Sequence, residues 1–321
     1  MAGPVTLAQW LVRRAGGAVI VWLLISLLAF SLSTLAPGDP AQLMLLRRTG
    51  DAPSEAEVVE LRHRLGLDRP FAQRYATWLS RTSRGDFGES YRTGQPVLTE
   101  LRTRFPATLT LAVTALLVGL LIAVPLAAVS AAARGTFLDH AARLVTLVGV
   151  SMPSYWLAYV LMLVFAVMFG VVPVSGSGGL RHLVLPSLTL AFGSAASVTR
   201  MLRANLLDEL GSDYVRTARA KGLPGLLVLM RHALRNALNP LVTVSALRFG
   251  RLLGEAVIVE TVFAWPGIGR WMVESISDRD YPAIQGFVLY IATVFIIINV
   301  LVDLSYRLMD PRVRFGSPAA A

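Results

Sequence analysis

The sequence has no cysteine and a single lysine, Lys221, among its 321 residues. Without cysteine, disulfide bridges and thiolate chemistry are excluded, and nothing can be concluded about the redox compartment. A phosphate-binding loop of the G-x-x-x-x-G-K-[ST] type needs a Gly-Lys pair, whereas Lys221 follows Ala220. The chain is therefore not a P-loop ATPase.

Motifs for metal binding and acyl transfer are also absent. The four histidines are far apart in the sequence, and there is no H-E-x-x-H. The stretch "SGSGG" (175–179) is not a G-x-S-x-G elbow, and no nucleophile, base and orienting group can be assembled from motifs. We therefore expect no enzymatic activity, no metal site and no cofactor in this chain.

Charged residues make up only 16% of the chain and hydrophobic residues 55%, a composition typical of membrane proteins. Crossing a hydrocarbon layer of about 30 Å takes about 20 apolar helical residues. A single segment in lipid must satisfy its own backbone hydrogen bonds, which favours helices. The sequence predicts an all-α polytopic membrane protein with six transmembrane helices, at residues 15–36, 106–133, 143–170, 183–202, 241–264 and 283–306.

The arginines predict the orientation of these helices. Alternate short loops carry most of the positive charge, and positively charged loops stay in the cytoplasm. Both termini are then cytoplasmic. The net charge of +10 reflects this topology and anionic membrane lipid, and no nucleic acid is needed to explain it. The first apolar run is too long for a signal peptide and lacks a clear cleavage motif, so we expect it to stay as a helix.

The predicted spans divide the chain into four parts. These are a cytoplasmic N-terminus with the first helix (1–36), an extracytoplasmic segment (37–105), a core of helices two to six (106–306) and a cytoplasmic tail (307–321). Within 37–105, Ser54 and Glu57 form a capping box and Gly66 ends that helix. A second helix carries Tyr75 and Trp78 on one face. This insertion is either a small folded cap or a loop that packs only on itself.

The fifth predicted span carries three ionisable residues, Arg248, Arg251 and Glu255. Such groups are costly in a bilayer and usually face protein or water. Arg251 and Glu255 are four residues apart, so they can pair on one helical face. They form either a structural ion pair or a pair that lines a pathway. Glu260 lies near the end of this span, where headgroups or water would make its charge less costly.

The stretch 203–240, between the fourth and fifth spans, is polar and cytoplasmic in this topology. "LLDELGSDYVRTARAKG" predicts one helix, and Gly222 then permits a sharp turn. "LLVLMRHALRNALNP" predicts a second helix with its apolar residues facing inward and Arg231 and Arg235 on a polar side. Pro240 marks the start of the fifth span. Two helices that project from the membrane in this way form a surface that a partner can push.

"DYVRTARAKGL" followed by "RHALRNAL" is similar to the cytoplasmic EAA loop of ABC-importer permeases, with Arg216, Thr217 and Ala218 at the E-A-A positions. Further ordered segments extend the resemblance along nearly the whole chain: "LAPGDPA", "LGLDRPFAQRYATWL", "RGDFGESYRTGQPV", "FPATLTLA", "VSMPSYWLA", "ETVFAWPGIGR", "RDYPAIQG" and "LVDLSYRLMDPRVR". The chain resembles the dipeptide and oligopeptide (DppB/OppB-like) permeases.

The resemblance implies a type I importer permease in a bacterial inner membrane. It implies a second homologous permease, two cytoplasmic ATPases that bind ATP and magnesium, and an extracytoplasmic peptide-binding protein. The loop 203–240 is here called the coupling segment. The resemblance implies that it contacts an ATPase through residues that lead up to the glycine turn: Asp213, Tyr214, Arg216, Thr217, Ala218, Arg219, Ala220, Lys221 and Gly222.

Two features depart from the family pattern. The stretch "LPGLLVLM" after Gly222 is more apolar than expected for the contact with an ATPase. Arg251 and Glu255 stand where such permeases carry small or neutral residues, and we hypothesise that they touch cargo or close a gate. Alternative cargoes are nickel chelates, glutathione and haem. Alternative classes are an ATPase-independent secondary transporter or channel and, less favoured, a membrane-embedded enzyme.

Overall fold

The computed structural model describes residues 7–35, 39–49 and 51–309. This part of the chain is helical, and its only β-type pairing is an isolated bridge from Glu89 to Pro96. The chain divides into two compact units, residues 1–105 with 271–321, and residues 106–270. The absence of strands confirms the predicted all-α class within the described residues.

The first unit is built on two long apolar helices that pack along each other, α1 and α14. Trp22 of α1 donates a hydrogen bond to the Thr293 hydroxyl of α14 at 3.1 Å. The unit also holds the short helices of the insertion and parts of two others. The bounds are α1 Leu7–Leu35, α2 Pro40–Thr49, α3 Glu55–Arg64, α4 Phe71–Thr82, α5 Val97–Ala132, α13 Ile268–Ser277 and α14 Tyr281–Met309.

The insertion forms the predicted helices and packs on α1 as well as on itself. Ser54 caps α3 in a complete capping box with Glu57, and Gly66 after α3 has φ +66°. The aromatic face of α4 meets the Phe30 ring of α1, with ring centroids 5.6 Å away for Tyr75 and 5.3 Å for Trp78. The insertion is therefore a folded cap on the end of α1.

The loop before α5 is joined to the start of α14 by Asp280, whose side chain is buried. Its carboxylate accepts the Ser90 hydroxyl at 2.5 Å and the N–H groups of Tyr91 and Arg92 at 3.1 and 3.2 Å. Two stretches noted in the sequence, "RGDFGESYRTGQPV" and "RDYPAIQG", thus meet. The Asp280 carboxylate therefore holds this loop against the start of α14.

The second unit surrounds α8, whose buried face packs against α6, α7 and α12. Helix α7 continues as a π-helix over Met162–Met168, and a second π-helix covers Val228–Ala233. The α-helical bounds are α6 Phe137–Ser151, α7 Ser154–Leu161, α8 Leu180–Leu210, α9 Asp213–Ala220, α10 Gly225–Leu227, α11 Leu234–Ala237 and α12 Asn239–Val262.

Within the described residues, four helices are long and apolar enough to cross a membrane: α1, α5, α8 and α14. The third predicted span is broken into α6 and α7, which meet at 111°. Met152 has φ −84° and ψ 124°, the extended conformation that the following Pro153 imposes. The fifth predicted span coincides with α12, but its four charged side chains exceed the limit for an apolar span. The six predicted stretches are thus mostly helical, and within the described residues four of them, or five if α6 and α7 form one broken span, are apolar enough to cross a membrane.

Candidate functional site

The predicted contact residues of the coupling segment lie on α9 and on the turn that follows it. Of these nine residues, Ala218 is buried and the other eight are exposed. Val215 and Ala218 pack against Val228 on the other side of the turn. Asp213 and Arg216 form an exposed ion pair at 3.2 Å. Helix α9 therefore presents a polar surface and keeps its apolar face on the segment itself.

Two glycines shape the segment. Gly222 has φ +78°, and a Cβ there would meet no atom within 4 Å, so the backbone conformation alone requires glycine. This confirms the predicted turn. The single helix predicted before it is wrong, because α8 ends at Leu210 and α9 begins at Asp213 after an extended Ser212. Gly211 is a poor helix former, and the Ser212 hydroxyl donates back to the Glu209 carbonyl of α8 at 2.6 Å, so the chain leaves the helix here.

The second half of the segment packs on the bundle of α5 and α8. Its buried residues Leu229, Ala233, Leu234 and Ala237 contact Ala127, Ala128 and Ala131 of α5 and Leu202 and Leu206 of α8. Arg231 and Arg235 are exposed, as predicted. Any displacement of the segment must therefore move, or slide over, the ends of α5 and α8.

Tyr214 ties the pieces of the segment together. Its hydroxyl donates to the Glu209 carboxylate of α8 and accepts a hydrogen bond from the Asn236 amide of α11 at 3.0 Å. Burial, followed by the hydrogen bond to Glu209, raises the pKa of Tyr214 above its usual value. Tyr214 thus remains a neutral donor at physiological pH and holds α8, α9 and α11 together.

A buried ion pair lies beside the segment and was not predicted from the sequence. Asp139 of α6 accepts two hydrogen bonds from the Arg203 guanidinium of α8, at 2.8 and 2.7 Å. The Ser130 hydroxyl at 2.6 Å and the Gly135 N–H at 3.0 Å complete the carboxylate's partners. Asp139 is 1% exposed. The pair therefore links α5, α6 and α8 next to the apolar residues on which the coupling segment packs.

The candidate pathway residues of α12 do not form the predicted pair. Among the described residues, no ion pair within 4.0 Å joins Arg251 to Glu255, and both side chains are exposed. Arg248 is partly buried. Arg248, Arg251 and Glu255 share one helical face, at spacings of three and four residues. The reading as a structural ion pair is not supported.

Glu260 is fully buried, which corrects the expectation that headgroups or water reach it. Its carboxylate accepts the Thr108 hydroxyl at 2.5 Å and the N–H groups of Gly269 and Arg270 at 2.7 and 3.0 Å. The Ile268 N–H donates to Thr108. Every neighbour donates, so the site suits a carboxylate at the N-terminus of α13.

The sequence contains a signal for the close packing of α13 on Glu260. Gly267 and Gly269 follow the acid by seven and nine positions in "ETVFAWPGIGR". A Cβ at Gly269 would lie 2.7 Å from Val257 Cα and 2.8 Å from the Glu260 carboxylate. Two glycines spaced in this way after an acid indicate a close backbone approach. No group of three or more potential metal ligands occurs within the described ranges.

Comparison with known families gives two matches along the chain. A family described as "Binding-protein-dependent transport system inner membrane component" matches residues 123–315. The N-terminal region of such membrane components matches residues 7–112. The two matches together include α1, α8, α12 and the coupling segment, and both ends of α5.

Curated relatives match over almost their full length. The chain is 41% identical over 333 residues to the probable D,D-dipeptide transport system permease protein DdpB of Escherichia coli K12, covering 95% of this chain and 97% of the relative. It is 39% identical to the di/tripeptide transport system permease protein DppB of Pseudomonas aeruginosa UCBPP-PA14, with 95% and 98% covered. It is 37% identical to the glutathione transport system permease protein GsiC of Escherichia coli K12, with 96% and 99% covered.

Solved structures share the fold. The MetNI methionine ABC transporter in an inward-facing conformation has a TM-score of 0.55 at 19% identity, covering 65% of this chain and 96% of that chain. An amino acid ABC transporter with histidines has a TM-score of 0.52 at 17% identity, with 65% and 94% covered. At such low identity the likeness concerns the fold alone.

Proposed function

The chain belongs to the family of binding-protein-dependent transport system inner membrane components, and from that premise we propose that it is the permease subunit of an ATP-driven importer of di- or oligopeptides. The observation that carries the proposal is the coupling segment. It exposes eight polar or small residues around a glycine turn and seats its apolar face on the ends of α5 and α8. Relatives named for dipeptide transport support the cargo.

The proposed complex has partners on both sides of the membrane. ABC importer permeases work with ATPases and binding proteins, and we propose two cytoplasmic ATPases, a second homologous permease and an extracytoplasmic peptide-binding protein. ATP and magnesium would bind in the ATPases. In this arrangement both termini and the coupling segment (203–240) are cytoplasmic, and the insertion (37–105) is extracytoplasmic in the bacterial inner membrane. The chain then forms half of the translocation pathway.

Gly222 offers a direct test of coupling. Gly222→Ala forces a residue with a Cβ into φ +78°, which costs about 1–2 kcal/mol and strains the turn. Gly225→Ala is the matched control, because a Cβ there also meets no atom within 4 Å and Gly225 has no positive φ. We expect Gly222→Ala to lower ATP-driven dipeptide uptake at least severalfold in cells that lack the native gene, and Gly225→Ala to leave uptake near the wild-type rate.

Equal uptake by the two variants would contradict a role for the turn in coupling. Uptake that persists after ATP depletion while the ion gradient is maintained would instead favour a secondary transporter. Labelled glutathione belongs in the same assay, because a relative at 37% identity is named for glutathione transport. Nickel chelate and haem complete the cargo set.

We propose that Arg248, Arg251 and Glu255 face the pathway. Charged side chains exposed on a membrane-spanning helix are costly against hydrocarbon, so this face of α12 borders water, cargo or the partner permease. A peptide brings an ammonium and a carboxylate that such groups can pair with. The absence of an ion pair between Arg251 and Glu255 within the described residues leaves both available for cargo.

Glu255→Gln keeps the size of the side chain and removes its charge. We expect a roughly tenfold loss of uptake for peptides with a free amino terminus, because a charge-assisted hydrogen bond is lost. N-acetylated peptides should be taken up equally by the variant and the wild type. An equal loss for both kinds of peptide would point to a structural role for Glu255, and unchanged uptake of both would rule out contact with the ammonium.

A further inference from the structure

The first unit contains a cavity of about 760 Å³ beneath the extracytoplasmic insertion. Its volume lies within the range of about 300–1,000 Å³ that is usual for small-molecule sites. Seventeen of its 23 lining residues come from residues 40–96, and the other six come from the last turns of α1 and the first turns of α14. The insertion therefore encloses a space and does not merely cover the helix ends.

Four arginines line this cavity, and two of them are already paired. Arg64 binds Glu60 at 2.8 Å, and Arg81 binds Asp86 at 2.8 Å. Arg69 and Arg74 have no ion pair within 4.0 Å among the described residues. Two guanidinium groups with free donors in one partly enclosed space form a strong site for a carboxylate.

A negative group and several aromatic rings line the same cavity. The carboxylate of Glu89 also lacks an ion pair within the described ranges. The Arg74 guanidinium lies over the Phe30 ring, 5.8 Å from its centroid, and Trp78 lies 5.3 Å from Phe30. Burial raises the pKa of Tyr91, another lining residue, to about 12, so it stays neutral. The walls thus combine both signs of charge with apolar rings.

We propose that this cavity is a binding site for a short peptide with a free carboxyl terminus. The carboxylate would bind Arg69 and Arg74, the ammonium would lie towards Glu89, and apolar side chains would contact Phe30 and Trp78. The identity of the ligand as cargo rests on the proposed function. In that setting the cavity holds a peptide outside the membrane, on the side from which a binding protein delivers it.

The composition of the walls favours a peptide over a phospholipid, whose headgroup could also supply an anion. A lipid site needs an apolar slot for acyl chains along the membrane helices, whereas most of this lining belongs to the insertion. Of the two carboxylates in the lining, Asp86 is paired with Arg81, so one unpaired carboxylate near two unpaired arginines suits a small zwitterion. The two free arginines exclude a cationic ligand without a carboxylate.

The test uses the full-length chain in phosphatidylcholine nanodiscs, without ATP or a binding protein. L-alanyl-L-phenylalanine and its carboxyl-terminal amide are titrated by calorimetry. We expect the free acid to bind at least roughly tenfold more tightly than the amide, because a charge-assisted hydrogen bond distinguishes them. The double variant Arg69→Gln with Arg74→Gln should remove this difference. Arg84→Gln, an exposed arginine of the same insertion outside the cavity, should keep it.

Several outcomes would overturn the proposal: no binding of either probe, equal binding of acid and amide, or an unchanged preference in the double variant. So would anionic lipid that copurifies with the wild type and is lost from the double variant, while peptide binding stays the same. Unchanged melting temperatures of both variants establish that they fold. Because the assay needs neither ATP nor transport, failure here leaves the proposed importer intact, and failure of coupled uptake leaves this site intact.

Discussion

Two buried carboxylates in the second unit are held in opposite ways. Asp139 receives two hydrogen bonds from a guanidinium, so its charge is matched by Arg203. Glu260 has a hydroxyl and two backbone N–H groups around it and no ion pair among the described residues. Each of the two residues is at most 1% exposed. The contact between α6 and α8 at Asp139 depends on a charge pair. The contact between α12 and α13 at Glu260 depends on the N-terminus of a helix and on close packing.

The difference predicts which joint tolerates which change. Removing a cation from a buried pair leaves an uncompensated charge, and this is more harmful than losing both partners. The corner at Glu260 has no cation to lose, but its glycines leave no space for a side chain. Stability should therefore be sensitive to the loss of a charge at the contact between Asp139 and Arg203. At the contact between α12 and α13, it should be sensitive to an increase in side-chain volume.

Arg203→Ala should have the largest effect on stability. It leaves the Asp139 carboxylate buried and unpaired, at a cost of about 3–5 kcal/mol. The thermal unfolding of the detergent-solubilised chain measures this cost. Adding Asp139→Asn to the same chain should restore part of the lost stability. Arg143→Ala on α6, where the side chain is exposed, is the control and should change little.

If Asp139→Asn gives no recovery in the Arg203→Ala background, the two residues do not act as a charge pair. The same variants also test the link to coupling. Because Arg203 and Asp139 join α5, α6 and α8 beside the residues that seat the coupling segment, uptake should fall more steeply than folded protein does. Uptake that follows the amount of folded protein would limit the pair to a structural role.

Gly269→Ala should come next. The added Cβ would lie 2.7 Å from the Val257 backbone, so α13 must move away from α12 and its hydrogen bonds to Glu260 must lengthen. Overpacking of this kind costs about 3 kcal/mol, seen as a lower melting temperature. Gly254→Ala on α12 is the control, because a Cβ there meets no atom within 4 Å. Equal melting temperatures for both variants would show that the corner is not tightly packed.

The surroundings of these two carboxylates also show which contacts the sequence alone does not predict. Local signals were sufficient for the capping box at Ser54, for the turn at Gly222 and for the apolar inner face of the coupling segment. The partners of Asp139 and Glu260 could not be predicted because they are remote, 64 residues away at Arg203 and 152 at Thr108. The break at Pro153 was visible in "VSMPSYWLA", but hydropathy alone gave one straight span.

The family resemblance, by contrast, could be recognised from short ordered motifs in the sequence, and some of these motifs supply the residues of remote contacts. "FPATLTLA" supplies Thr108, and "ETVFAWPGIGR" supplies both Glu260 and the glycines that approach it. "RGDFGESYRTGQPV" and "RDYPAIQG" meet in the same way at Asp280. Each of these motifs supplies one side of a contact, and the contact itself is seen only in the structure.

The smallest effect on stability is expected for an exposed ion pair, Arg81 with Asp86 at 2.8 Å. It serves as the exposed counterpart of the buried pair Arg203 and Asp139. The hydrogen bond from Arg81, and then the Gly88 N–H, lower the pKa of Asp86 below its usual value. Because the pKa of Asp86 is lower in the folded state, the pair stabilises the fold at pH values above the unfolded-state pKa of about 3.9. This stabilisation is lost as the pH falls through the folded-state pKa. Arg81→Gln should therefore reduce stability at neutral pH by less than about 1 kcal/mol. This deficit should vanish in acid, and melting temperatures of variant and wild type along a pH series measure both effects.

A deficit as large as that of Arg203→Ala, or one that persists in acid, would mean that exposure does not weaken this pair and that the contrast between buried and exposed charges does not hold here.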